Sequence, residues 1–135
     1  MSGDDQFLQA IEAVYASGLD SERLPEALES TSSLLGSVGA CFEIIDKSTR
    51  QHRLFCTVGP PTVARDTYLA EFAANNPRIP FALRQAVGSV SWDHLILDEA
   101  SMGRDAFYSE FLPHFGLRYF IATVLEQSTE TLARR

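Results

Sequence analysis

At Gly36 the apolar residues of this chain stop recurring every three or four positions and begin to recur every two. That switch commits the chain to helices before the glycine and strands after it, and so to a mixed α+β fold. Within residues 4–15, Phe7, Leu8, Ile11, Val14 and Tyr15 form one apolar stripe on a helix. Ser2 or Asp4 can cap its start, and Gly18 suits its exit. A second helix opens between Ser21 and Pro25, because proline has no N–H to lose in a first turn. Its inward stripe is Leu24, Ala27, Leu28, Thr31 and Leu35.

After Gly36, residues 38–46 alternate Ala40, Phe42 and Ile44 against Cys41, Glu43 and Ile45. Residues 51–58 alternate Leu54, Cys56 and Val58 against Arg53, Phe55 and Thr57. The polar Lys47-Ser48-Thr49-Arg50 between them makes the pair a β-hairpin. Matching the apolar faces pairs Phe42 with Cys56 and Ile44 with Leu54; a slip of one residue would oppose Cys41 to Cys56 instead. A third helix is predicted over 62–75, with Ala64, Tyr68 and Phe72 along one side, and Asn76 leaves helical geometry because Pro77 follows it. Residues 79–85 form a short helical turn, 87–92 a short strand, and Asp93 caps a turn through Ile96. Ser101 or Asp105 caps a last helix that Pro113 closes, its inward residues being Phe107, Tyr108, Phe111 and Leu112. Residues 117–125 alternate with both faces apolar, which places them as a long central strand. Three or four strands leave a sheet edge open, and a dimer that covers that edge is expected.

Charge and composition exclude several functions. The chain has 135 residues and a net charge of −7, and it contains a single lysine, Lys47. Residues 1–36 hold seven acidic side chains against one basic. Proteins that bind nucleic acid gather Lys and Arg to displace counterions from phosphates, so no direct nucleic-acid contact is expected. No apolar run is long enough for a membrane span, and the Met-Ser-Gly-Asp-Asp start lacks the basic and apolar segments of a signal peptide. A cytoplasmic protein is expected, with Cys41 and Cys56 as reduced core thiols. The spacing of cysteines and histidines gives no metal site, and no glycine-rich phosphate loop or GxSxG elbow is present, so no cofactor is expected.

The aromatic residues carry more information. Seven of the fourteen Phe, Tyr and Trp residues lie between Trp92 and Phe120. Rings supply flat apolar walls, and Tyr and Trp add a polar handle. Core packing accounts for much of this density; an interior cavity for a small apolar or aromatic ligand is the sharper reading. Its lining would be Phe42, Tyr68, Phe72, Trp92, Phe107, Tyr108, Phe111 and Tyr119, with Arg78 at the mouth. Pro77 and Pro80 stiffen the segment that holds Arg78, which can pair with an acidic residue in 93–105 or reach an anionic ligand group. An enzyme built on the same pocket would use Asp93, His94 or His114 as acid or base. A third reading is a dimerisation module with a solid core.

The order of these elements, with Asn76-Pro77-Arg78, Trp92-Asp93, the FYSEFL string at 107–112 and the GLRYF string at 116–120, resembles the N-terminal sensory domain of bacterial LuxR-type helix-turn-helix transcription regulators. The resemblance covers residues 4–125 and implies a PAS- or GAF-like antiparallel sheet flanked by helices over 1–126, followed by a polar tail at 127–135. It implies a non-catalytic regulatory domain that senses a small molecule or dimerises. The DNA-binding part is absent from these 135 residues, and the last one or two strands of the sensor are expected to be missing with it.

Overall fold

The first helix, α1, runs from Gly3 to Leu19 in the computed structural model, which describes residues 2–127. Ser2 begins it with a reciprocal cap: its hydroxyl accepts from the Asp5 N–H at 3.2 Å, and the Asp5 carboxylate accepts back from the Ser2 N–H at 3.4 Å. Helix α2 spans Leu24–Leu35, with Pro25 in its first turn. Gly36 ends it at φ 67°, the left-handed conformation that costs a glycine least, and its N–H returns to the carbonyls of Ser32 and Ser33.

The described residues form two compact units. One holds residues up to Asp46 together with Gln51–Arg65, and the other holds Lys47–Arg50 together with the residues from Asp66 onward.

In the first unit, α1 packs against α2 through small side chains. Ala10, Ala13 and Ala27 are buried, while Phe7, Leu8, Val14 and Tyr15 stay exposed. The expected apolar stripe of α1 is therefore present but does not face α2 squarely. Alanines let two helix axes approach closely, and that places the wider side chains beside the contact. On α2, Ala27 is buried, Leu24, Leu28 and Thr31 are half-buried, and Leu35 is exposed. Strands β1 (Ala40–Ile45) and β2 (His52–Val58) pair antiparallel and pack on α2. Phe42 lies opposite Cys56 and Ile44 opposite Leu54, as the apolar faces require. Cys41 faces Thr57, so the alternative register is not adopted and no disulfide joins the cysteines. Cys56 is half-buried, but Cys41 is exposed and not the expected core thiol, because it stands on the opposite face of β1 from Phe42. At the open end of the ribbon the two backbones nearly touch: a Cβ on Gly39 would stand 2.5 Å from the Val58 carbonyl oxygen.

The second unit begins within a long helical run. Helix α3 (Thr62–Thr67) continues through a wide π turn at Tyr68–Phe72 and a tight turn at Ala73–Asn75. Asn76 is extended before Pro77, as expected. Then come α4 (Arg78–Ala82), β3 (Val90–Trp92), a tight turn at Asp93–Leu95 and α5 (Glu99–Arg104). A second π turn at Phe107–Phe111 leads into α6 (Leu112–His114), and β4 (Ile121–Thr123) follows. Pro113 sits inside this run and does not close it. It has no N–H to give the Ser109 carbonyl and its ring crowds that group, so the ladder widens there, with the Leu112 N–H reaching Phe107. Of the two caps expected for the last helix, Asp105 takes the Phe107 N–H at 2.9 Å, whereas Ser101 lies inside α5, a separate short helix capped by the Asp98 carboxylate on the Ser101 N–H at 2.7 Å.

Among the described residues the strands do not form one sheet: there are two ribbons of two strands, β1–β2 and β3–β4, and β4 is three residues long and pairs with β3 at the edge of its ribbon. Its expected N-terminal part, 117–120, has its ladder groups engaged elsewhere: the Arg118 carbonyl accepts from Arg78, and the Phe120 N–H donates to Asp93. Among the described residues no helix is long and apolar enough to cross a membrane. Of the polar tail expected at 127–135, all but Gln127 lies outside the described residues.

Candidate functional site

The second unit is organised around one carboxylate. Asp93 is 1% exposed and accepts three hydrogen bonds: from Arg78 Nε at 2.8 Å, from the Tyr108 hydroxyl at 2.5 Å, and from the Phe120 N–H at 2.7 Å. Arg78 donates also to the Arg118 carbonyl at 3.1 Å, and its guanidinium lies 4.0 Å over the Phe120 ring. The stiff Asn76-Pro77-Arg78 segment presents the arginine, and Asn76 closes it by accepting from the Arg78 N–H and donating to the Tyr68 hydroxyl. Of the alternatives open for Arg78, the structure shows the ion pair. Asp93 caps its turn with its backbone carbonyl, on Ile96 and Leu97, while its side chain serves the inward network.

The ring cluster sits beside this network. Phe111 stacks on Phe107 at 5.5 Å, meets Tyr68 at 5.7 Å and Phe72 at 5.0 Å, and Phe107 meets Tyr108 edge-on at 5.5 Å. These are contact separations for aromatic pairs, so the rings fill the space between the two π turns. The structure thus brings together Tyr68, Phe72, Arg78, Phe107, Tyr108 and Phe111. Trp92 is 46% exposed on β3, Tyr119 is 53% exposed, and Phe42 belongs to the first unit.

Concave space in the second unit lies on the outer side of Tyr108. A cleft of about 310 Å³ is lined by Met102, Tyr108, Ser109, Leu117, Glu99 and Arg118, among others. Met102 and Leu117 give apolar walls, and Glu99 and Arg118 form a charged rim. Glu99 accepts from the Tyr119 hydroxyl, from His94 Nε2 at 2.9 Å and from Arg118 Nη2 at 2.8 Å. Those donors, the Tyr119 hydroxyl first and His94 next, hold its carboxyl below the ordinary value of 4.5. Tyr108 shows the reverse effect: burial first, then the neighbouring Asp93 carboxylate, push its phenol well above 10.0.

Neither Glu99 nor Met102 was among the residues expected to line a pocket. Arg118 carries its signal in the GLRYF string, and Glu99 carries one as an acid beside His94, yet neither is aromatic. His114 is exposed against the edge of Phe115 at 4.8 Å. No group of His, Cys, Asp and Glu able to hold a metal occurs among the described residues. No family model, curated protein or solved structure matches the chain, so its chemistry is read from its own residues.

Proposed function

We propose that the chain is a regulatory domain of the kind that precedes the DNA-binding part of bacterial LuxR-type transcription regulators, a PAS- or GAF-like sensor that takes a small apolar or aromatic ligand and pairs with a second copy. The observation that carries this reading is the cleft over Tyr108. One face of that phenol lines open space with apolar walls, and its hydroxyl reaches the buried Asp93 that also holds Arg78 and the backbone ahead of β4. A ligand pressing on Tyr108 therefore acts directly on the network that fixes three segments of the unit. It regulates by favouring one arrangement of those segments over another. The cleft is at the small end of ligand sites, which sets the ligand at about ten to fifteen heavy atoms. In this reading the chain itself touches neither nucleic acid nor membrane and catalyses nothing.

Amide NMR of the labelled protein, titrated with indole and with phenylacetate, tests the proposal. Saturable shifts confined to residues such as Met102, Gly103, Ser109 and Arg118 are expected with at least one probe. If neither probe moves these amides at about millimolar concentration, where a binding free energy of about −4 kcal/mol already half-fills a site, the sensing reading is wrong. The alternative of a small acid–base enzyme has one supporting geometry, the His94–Glu99 pair beside the cleft. It is less favoured because Asp93 is occupied by its three donors and His114 lies against Phe115.

A further inference from the structure

The apolar stripe of α1 has a symmetry of its own. Phe7 and Tyr15 each stand four residues from Ile11, and Leu8 and Val14 each stand three. Ile11 is also the midpoint of the helix, which runs Gly3–Leu19. A second α1 laid antiparallel across the first at Ile11 sets Phe7 against Tyr15, Leu8 against Val14, and Ile11 against itself. Such self-complementarity is what a two-fold interface demands, since each residue must suit its counterpart in both directions.

Three further observations support a second copy as the occupant. First, the face is open: Phe7, Leu8 and Val14 are each more than half exposed and Tyr15 is 75% exposed. Beside it a groove of about 410 Å³ runs between α1 and α2, lined by Phe7, Ile11, Val14, Tyr15, Thr31 and Leu34, with room for a partner's ring. Second, the area suffices. Covering the outward parts of Phe7, Leu8, Val14, Tyr15 and Leu19 on both copies removes on the order of 1,100 Å² from water, just above the ~1,000 Å² that a specific interface needs. Third, charge selects the direction. The acidic side chains at the start of α1 are Asp4 and Asp5, and no basic residue stands in the last turn. A parallel pair would bring the four carboxylates together. The antiparallel pair separates them by about 20 Å along the axis, roughly twice the screening length at physiological salt. It also sets Asp4 opposite Gly18, where a side chain added at the glycine would meet nothing within 4 Å.

We infer that two copies of this chain associate through α1, antiparallel and crossing at Ile11, with Tyr15 of each copy seated in the α1–α2 groove of the other. This rests on the regulatory reading only for its purpose and requires no ligand. It also moves the interface from the sheet edge, where the strand pattern had placed it, to a helix.

Cysteine cross-linking in a Cys41→Ser, Cys56→Ala background tests the geometry. Helix axes about 8–10 Å apart bring facing Cα atoms within disulfide range. Ile11→Cys is expected to oxidise to a covalent dimer. Phe7→Cys and Tyr15→Cys chains are expected to cross-link when mixed, and neither alone. Should substitution at Ile11 disturb the fold, Tyr15→Lys at an exposed position serves instead: sedimentation equilibrium is expected to show its dissociation constant raised about tenfold or more over the parent. Self-linking of Phe7→Cys overturns the antiparallel arrangement. A parent protein that is dimeric yet gives none of these cross-links and ignores Tyr15→Lys overturns the surface. A parent that is monomeric at about 100 µM overturns the association itself. None of these outcomes bears on the NMR titration, so the two proposals fail separately.

Discussion

Replacing Asp93 by alanine removes one side chain and leaves three donors without an acceptor. The Arg78 side chain is 14% exposed, so its charge would remain in a poorly solvated place with no counter-ion. The Tyr108 hydroxyl and the Phe120 N–H would lose their partner as well. Breaking a buried ion pair from one side costs about 3–5 kcal/mol, because the surviving charge keeps its desolvation penalty. A domain of this size has roughly 5–15 kcal/mol in all, so the substitution takes at least about a fifth of its stability. Arg78→Met strands the Asp93 carboxylate and is expected to cost a similar amount. The two substitutions together strand neither charge, and an apolar pair in place of a buried ion pair is often close to neutral. Urea unfolding followed by circular dichroism at neutral pH, with an unchanged slope, gives the four corners of the cycle. The double variant is expected to fall short of the summed single losses by about 2 kcal/mol or more. Additive losses, or an Asp93→Ala variant within about 1 kcal/mol of the parent, would show that the pair is not the organising contact described here.

Other consequences are measurable on the same protein. The raised pKa of Tyr108 means that its contribution to stability is complete below the unfolded value of 10.0 and falls away as pH rises above it toward the folded value; an ultraviolet titration should leave at least one phenol protonated after the exposed tyrosines have ionised, and full ionisation near 10 would contradict the burial. For Glu99 the sign is opposite: its carboxyl is held below 4.5, so its contribution is present above that pH and is lost as pH falls through the folded value, and the carboxyl resonance should titrate below 4.5 in the parent and shift upward in Tyr119→Phe. Ala13→Leu should cost about 1–3 kcal/mol by forcing α1 and α2 apart, whereas Val14→Leu, one residue away on the open side, should be close to neutral; equal effects would mean that the alanine face is not the contact. Gly39→Ala should destabilise the hairpin, since its new methyl meets the Val58 carbonyl at 2.5 Å and Pro60 Cδ at 2.8 Å, and unchanged urea unfolding would refute that close approach.

What could be read from the sequence depended on whether the deciding interaction was local. The β1–β2 register was legible because Phe42, Ile44, Leu54 and Cys56 leave one pairing in which apolar side chains share a face. The end of the third helical run was legible because Pro77 acts on the residue next to it. The long strand expected at 117–125 failed for a non-local reason. Its alternation is real, but Arg78 and Asp93, 40 and 27 residues away, take the Arg118 carbonyl and the Phe120 N–H that a ladder would have used. In α1 the pattern showed which residues are apolar but not which face does the packing, because alanines carry little weight in a pattern of large side chains. The aromatic cluster was legible as a cluster. Whether its rings line a hole or fill it turns on the width of two helical turns, one of them set by Pro113. The cleft lies one layer out, on Tyr108, with Glu99 and Arg118 that no search for aromatic walls would select.

The two units solve the problem of an interior in opposite ways. In the second, Tyr68, Ile79, Met102, Phe107, Tyr108, Phe111 and Leu112 are all buried, and a charged network with no stranded polar atom among the described residues fixes how they meet. Such a network tolerates few alternative arrangements, because each one would leave a donor or a carboxylate unpaired at a cost of several kcal/mol. In the first unit the buried apolar residues among those described are Ala10, Ala13, Ala27 and Ala64. Burying a methyl group contributes about 0.8 kcal/mol, against roughly 1.5–3 kcal/mol for a whole Leu or Phe side chain, so four alanines do little to offset the ordering of two helices and a ribbon. The large apolar side chains that would supply the difference are on the outside of α1. In the proposed antiparallel pair, their burial against a second copy would contribute to the folding of this unit as well as to association, so its stability is expected to rise with protein concentration while that of the second unit does not.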